Sequence, residues 1–151
     1  MRLKSGVITL SNPKKVKKEQ IQKPLKGAVE YIDKAIFLKD GIANSIQGED
    51  YKKAFEKFEN LLESLDYLND LLDSVETLLK LNYQQLMVES NSIDENIKEF
   101  NSFLQEVMTA MKDQDYLLVA DLIEFELEEY LRSYKKIFIF LDEYVEGLED
   151  Y

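Results

Sequence analysis

Asp66, Asn69, Asp70 and Asp73 are spaced so that a helix would carry all four on one face. Oxygen ligands in that pattern suit a hard cation such as magnesium. The same pattern is also the ordinary solvated face of an acidic helix. A second group, Asp121, Glu124, Glu126, Glu128 and Glu129, crowds a later segment. Asp121 and Glu124 flank an apolar stripe there. A carboxylate drawn into a core has a raised pKa and could act as acid or base. The plainer reading leaves both at the rim of the stripe or paired with lysine.

Composition removes most other chemistry. The chain has no His and no Cys. Imidazole acid–base work, thiol nucleophiles, disulfides and the usual zinc ligand sets are therefore absent. A carboxylate-bridged di-iron bundle wants Glu-x-x-His pairs, and those are missing too. There is no glycine-rich phosphate loop and no GxSxG motif. No catalytic, cofactor-binding or metal residue is assigned on this basis, and a non-enzymatic role is expected.

The aromatic residues say more. Nine Tyr and eight Phe are unevenly placed. Tyr130, Tyr134, Phe138, Phe140, Leu141 and Tyr144 gather toward the C-terminal end. Tyr joins an apolar body to a polar tip and is common at interfaces. These six form the candidate interaction surface, with plain core packing as the alternative.

Charge narrows the partner. Residues 1–26 carry Arg2 and seven lysines against Glu19 alone, a local charge of +7, which leaves −18 for the rest of a chain of net charge −11. An acidic body repels nucleic acid and anionic lipid. The basic stretch is expected to lie on that body. No apolar run reaches membrane-spanning or signal-peptide length, so membrane insertion is not expected and a cytoplasmic location is. The expected partner is another protein or a second copy of the chain, most simply in a dimer.

Long amphipathic helices must position these residues. The chain has 151 residues with only five Gly and two Pro, too few for many turns. Residues 1–23 read as a basic extended arm, with a β-prone run at 6–10, and residues 24–151 as the helical domain. The first helix is expected from Pro24, with Leu25, Ala28, Val29, Ile32, Ile36, Ala43 and Ile46 as its stripe, to a stop at Gly48. The second starts near Asp50 and alternates steps of three and four through Phe58, Leu61, Leu65, Leu68, Leu72, Val75 and Leu79. Ser92-Ile93-Asp94-Glu95 has capping-box form and opens a third helix to Lys112. The fourth runs from near Asp115 to beyond Tyr144. The expected fold is all-α: an antiparallel four-helix bundle, up-down-up-down, with a short N-terminal arm.

Lengths test that fold. At 1.5 Å per residue a helix over 50–88 is about 57 Å long, against about 30 Å for the third and about 50 Å for the fourth. Either the second helix breaks near 81–84 or it overhangs. The apolar end of the fourth, from Ile137 to Leu148, also needs a cover: the basic arm, a twin or another protein.

The two halves echo one another. Ile46-x-x-x-Asp50-Tyr51 matches Met111-x-x-x-Asp115-Tyr116 at an offset of 65. At the same offset Phe58 meets Ile123, Leu62 meets Leu127 and Leu65 meets Tyr130. Two related αα-hairpins are one explanation; the likeness of any two acidic helical turns is the other. Gly48-Glu49-Asp50-Tyr51-x-x-Ala54 has the look of a tetratricopeptide helix start, but a 65-residue offset does not fit a 34-residue array.

The stretch Asp115-Tyr116-Leu117-Leu118-Val119-Ala120-Asp121-Leu122-Ile123-Glu124-Phe125-Glu126-Leu127, with Ala54-Phe55-Glu56 and Leu65-Asp66-Tyr67-Leu68, resembles a group of small all-helical bacterial proteins often encoded near motility genes. The resemblance covers about residues 25–138 and supplies no active site. It implies a helical accessory protein linked to motility. Flagellar and type III export chaperones are similar in class, being small, acidic and helical. The expected function is thus a non-catalytic, chaperone-like interaction protein. A self-assembling homodimer is the second possibility and a carboxylate-only metal protein or enzyme the third.

Overall fold

The computed structural model describes residues 16–148 of the chain. They form five helices and one small hairpin: α1 (Lys18–Gln47), α2 (Tyr51–Leu79), β1 (Met87–Val88), β2 (Asn91–Ser92), α3 (Ile93–Lys112), α4 (Tyr116–Phe125) and α5 (Leu127–Glu146). The fold is all-α, with five helices where four were expected. The β-prone run at 6–10 and most of the basic arm lie outside the described residues.

The first helix begins at Lys18, six residues before Pro24, so the stretch 18–23 is helical and not extended. Lys17 N–H donates to Gln20 Oε1 at 2.9 Å and opens the first turn. Pro24 then sits inside the helix, where it lacks a donor and costs about 3 kcal/mol. Val16, Ile21 and Leu25 are all buried. At about 1.5–3 kcal/mol for each such side chain, their burial outweighs the proline. These residues also answer the question of the cover. Lys18 Nζ donates to Glu146 O at 3.0 Å and Gln22 Nε2 donates to Glu146 Oε2 at 2.7 Å. The N-terminal turns of α1 lie beside the last turn of α5.

Further along, Lys135 pairs with Asp33 at 2.8 Å and Lys39 reaches Glu128 at 3.6 Å. The four contacts make α1 and α5 antiparallel. Buried Ala28, Ala35 and Ala43 give α1 the small side chains that permit close approach. It packs closely on α5 and also meets α2 and α4, while α3 packs on α4 and α5.

The long second helix resolves as a break. Lys80 takes a left-handed conformation, φ 54 and ψ 44, and Leu81 N–H donates to Glu76 O at 2.9 Å, a Schellman-type closure. Tyr83 holds the break. Its N–H donates to Glu76 Oε2 at 2.8 Å and its buried hydroxyl donates to Leu72 O at 2.6 Å. Residues 87–92 then form the β1–β2 hairpin, with Met87 opposite Ser92 and Val88 opposite Asn91. Ser92 Oγ accepts from Glu95 N–H at 3.1 Å, the expected cap of α3. Glu95 does not return the bond to the Ser92 backbone; its carboxylate accepts from the Ser92 hydroxyl at 3.2 Å.

The echo between the halves is a repeated geometry. Helix α1 stops at Gly48 as expected, and the left-handed reversals follow at Glu49 and Gln114, φ 60 and 59. Asp50 caps α2 by accepting from Lys53 N–H at 3.2 Å, and Asp115 caps α4 by accepting from Leu118 N–H at 3.3 Å. Asp50 N–H donates to Ser45 O at 2.8 Å, and Asp115 N–H to Ala110 O at 2.9 Å. The rings of Tyr51 and Tyr116 stack across the two turns, centroids 3.7 Å apart and planes within 4°.

The break between α4 and α5 has its explanation here. The buried positions of α2 and α4 correspond at an offset of 65, as in Ala54 with Val119 and Phe58 with Ile123. Beyond Glu126 the offset becomes 66. Leu61 then matches Leu127, Leu65 matches Leu131, Leu68 matches Tyr134, and Leu72 matches Phe138. The pairings of Leu62 with Leu127 and Leu65 with Tyr130 are therefore corrected by one residue. The second half carries one residue more than the first, Glu126, and a single extra residue in a helix is absorbed as a local disruption. No Gly or Pro marks the place.

Candidate functional site

The C-terminal aromatic group is mostly core. Tyr134, Phe138 and Leu141 are fully buried, so these three are not available to a partner. Tyr130 and Phe140 are half-buried against the same core, and Tyr144 alone of the six is exposed. The rings form one cluster. Tyr130 stacks on Phe103 at 4.5 Å and on Phe100 at 5.4 Å, and Phe100 meets Tyr134 edge-on at 4.6 Å. The Tyr134 hydroxyl donates to Asn69 Oδ1 at 2.7 Å, and Asn69 Nδ2 donates to Asn101 Oδ1 at 3.3 Å. Helical spacing could not separate this cluster from a surface, because a helix apolar on most sides gives no sign of which side is covered.

Burial holds two phenols neutral. It pushes the Tyr83 hydroxyl up, helped by the carboxylates of Glu76 and Asp73, and it raises Tyr134, with Asp73 adding to the effect. Both ionise more easily in the unfolded chain than in the folded one. Their contribution to stability is thus complete below the ordinary tyrosine pKa of about 10 and is lost as the pH rises past it. Alkaline titration by phenolate absorbance should show these two ionising only as helical circular dichroism is lost. A smooth titration of all nine tyrosines with the helices intact would contradict the buried geometry.

The carboxylate groups do not converge. Asp121 and Glu124 are exposed on α4, not drawn into the core. Asn69 belongs to the Tyr134 network, and Asp66, Asp70 and Asp73 each have partners of their own. Among the described residues no three carboxylates come together in a group able to hold a metal ion. Glu128 is held below the usual carboxylate range by the Arg132 guanidinium, which bonds it at 2.7 and 2.8 Å.

A different surface stands out. Phe37 is 79% exposed and Leu38 is 59% exposed, on the side of α1 away from its buried stripe. They border a concavity of about 380 Å³ between α1 and α2, floored by Gly41, Lys57, Leu61 and Ser64. It continues past Tyr31 into a second hollow of about 310 Å³ beside Pro24, Gly27 and Tyr67. Together they make an apolar groove along the α1/α2 hairpin. Lys57 Nζ donates to Gly41 O at 3.3 Å and to Ser45 Oγ at 3.2 Å, and it has no carboxylate partner among the described residues. The sequence did hold a signal. Phe37 and Leu38 are two large apolar residues side by side that fall off the stripe of Ile32, Ile36 and Ala43.

Among the described residues no helix is long and apolar enough to cross a membrane. A protein-family model described as a domain of unknown function (DUF8042) matches residues 25–137, most of the chain, from Leu25 in α1 to Ile137 in α5. No curated protein and no solved structure matches the chain.

Proposed function

The chain belongs to the DUF8042 family, a domain of unknown function, and we propose that it is a non-catalytic, chaperone-like accessory protein that holds an apolar helix of a partner in the α1/α2 groove. One observation carries this reading: Phe37 and Leu38 stand exposed at the lip of a concavity whose lining is mostly apolar, with Lys57, Asn60 and Ser64 as its polar members. Helix-in-groove recognition needs such a trough with apolar anchors at successive turns. The fold counts, in this reading, as a four-helix bundle of two related hairpins whose last helix is broken at Glu126. In this reading a motility-linked partner comes from the class of protein the sequence resembles, and a cytoplasmic setting from the lack of an apolar run of membrane-spanning or signal-peptide length.

The test places a photo-crosslinking residue at Phe37 or Leu38, with a matched one at exposed Lys98, in cells of origin. A distinct protein adduct from 37 and 38 and none from 98 is the expected result. Adducts between two copies of the chain would favour the homodimer instead, and no site-dependent adduct would remove the groove as a docking site. Phe37→Asp and Leu38→Asp should shift stability by no more than about 0.5 kcal/mol, as exposed positions do. A large loss in thermal melts would show that both side chains pack within the chain.

A further inference from the structure

The inference below rests on the α1/α2 groove being a docking site and identifies what fills it. The second hairpin shows the same place occupied. Its counterpart of Ser64 is Tyr130, and its counterpart of Leu38 is Phe103, and those two rings stack at 4.5 Å. Leu61 and Gly41, which floor the concavity, correspond to Leu127 and Glu106. The hollow of about 380 Å³ is therefore the space that a tyrosine ring takes in the other half of the molecule. It is open because the first half has Ser for Tyr, Leu for Phe and Gly for Glu at those positions.

Charge differs between the two places in a way that selects the occupant. Tyr130 is raised in pKa by burial and then by Glu126, Glu99, Glu106 and Glu129 around it. In the first half Lys34 stands for Glu99, Gly41 for Glu106, and nothing for Glu126, while Glu63 keeps the acid of Glu129. Lys57, on the groove floor without a carboxylate partner, replaces Leu122. A site with acids removed and an ammonium added favours an anionic neighbour.

We infer that the groove takes an aromatic side chain of a partner helix with one or more carboxylates beside it, seated between Leu38 and Ser64 as Tyr130 is seated against Phe103. The aromatic ring supplies the apolar contact and the carboxylate meets Lys57.

The probe is a synthetic peptide of this chain's own residues 126–138 with Tyr134 and Phe138 replaced by Leu, so that Tyr130, flanked by Glu126, Glu128 and Glu129, is its one aromatic residue. Titrated into the labelled full chain and followed by amide NMR shifts, it should perturb Leu38, Gly41 and Ser64. Replacing its tyrosine by Leu or Ala, or its glutamates by Lys, should weaken it by about tenfold or more. In the protein, Ser64→Tyr should place a ring in the hollow from within, raise the thermal midpoint and abolish peptide binding.

A Leu peptide that binds as well as the Tyr peptide overturns the aromatic inference while the groove reading stands. A charge-reversed peptide that binds equally overturns the carboxylate. No peptide shifts at Leu38, Gly41 or Ser64, or a lowered midpoint for Ser64→Tyr, overturns the match between the halves. Failure of the groove itself is read separately, as the loss of crosslinks from positions 37 and 38.

Discussion

Phe138→Asp unfolds the chain. Phe138 sits among C-terminal aromatics whose spacing suits a surface, and on a surface the same substitution would split a dimer and leave each protomer folded. The structure leaves the side chain with no exposure. Removing a buried Phe costs about 3–5 kcal/mol, and an unpaired buried carboxylate adds several more. Against a total stability of about 5–15 kcal/mol that is most or all of what is available. The expected readout is a far-UV signal without a cooperative transition, or a midpoint lowered by at least about 15 °C at about 2–4 °C per kcal/mol. A folded variant with an unchanged midpoint would mean that Phe138 is on the surface after all. Tyr144, exposed on the same helix, provides the control: Tyr144→Asp should melt close to the parent chain.

Phe100→Ala is the second large effect. Its ring is the hub that joins Phe103, Tyr130 and Tyr134. Deleting it removes a fully buried side chain and leaves a cavity, at about 3–5 kcal/mol. The edge-on contact with Tyr134 adds to that, since aromatic pairs are worth about 0.5–1.5 kcal/mol beyond their area. Urea unfolding should show a lower midpoint with an unchanged slope. A loss under about 1 kcal/mol would mean that α3 and α5 close over the gap. The counterpart in the first half is Ala35, also fully buried. There the reverse change, Ala35→Phe, should cost about 1–3 kcal/mol through overpacking. Related positions in the two hairpins thus carry opposite size requirements. This is consistent with α1 lying close on α5, while α2 and α3 make no such close approach.

Much of the local structure was legible because it depends on neighbours in sequence. The capping Asp50, Asp115 and Ser92 act on amides three residues on. The stripe from Phe58 to Val75 needs only the period of the helix, and most of its residues are buried. The 65-residue echo was visible from two Asp-Tyr pairs, though it could not show that those tyrosines stack. A helix start at Pro24 follows when the local penalty of an interior proline is weighed alone. The burial of Val16 and Ile21 comes from the far end of the chain, and no local rule contains it.

The candidate site shows the same division from the other side. A stripe of Tyr130, Tyr134, Phe138 and Leu141 is compatible with core and with interface, since hydrophobic burial depends on area covered and not on what covers it. The covering atoms are supplied by α1 and α3, distant in sequence. Phe37 and Leu38 are the reverse case: apolar residues to which the fold brings no cover.

The sequence by itself determined the all-helical class, the caps of α2, α3 and α4, and the absence of imidazole and thiol chemistry, because each follows from residue type or from contacts within one turn. Only the tertiary structure decided which aromatic residues are core, that α1 reaches back to cover the end of α5, that one extra residue at Glu126 divides the last helix, and that Phe37 and Leu38 stand exposed beside a hollow between α1 and α2. The physical reason is common to all four. Each depends on which distant surfaces meet, and a helix records the direction of its apolar face without recording its neighbour. The carboxylates that first suggested chemistry are partnered, exposed or held by Arg132; the hollow beside Ser64 is where the proposed partner would dock.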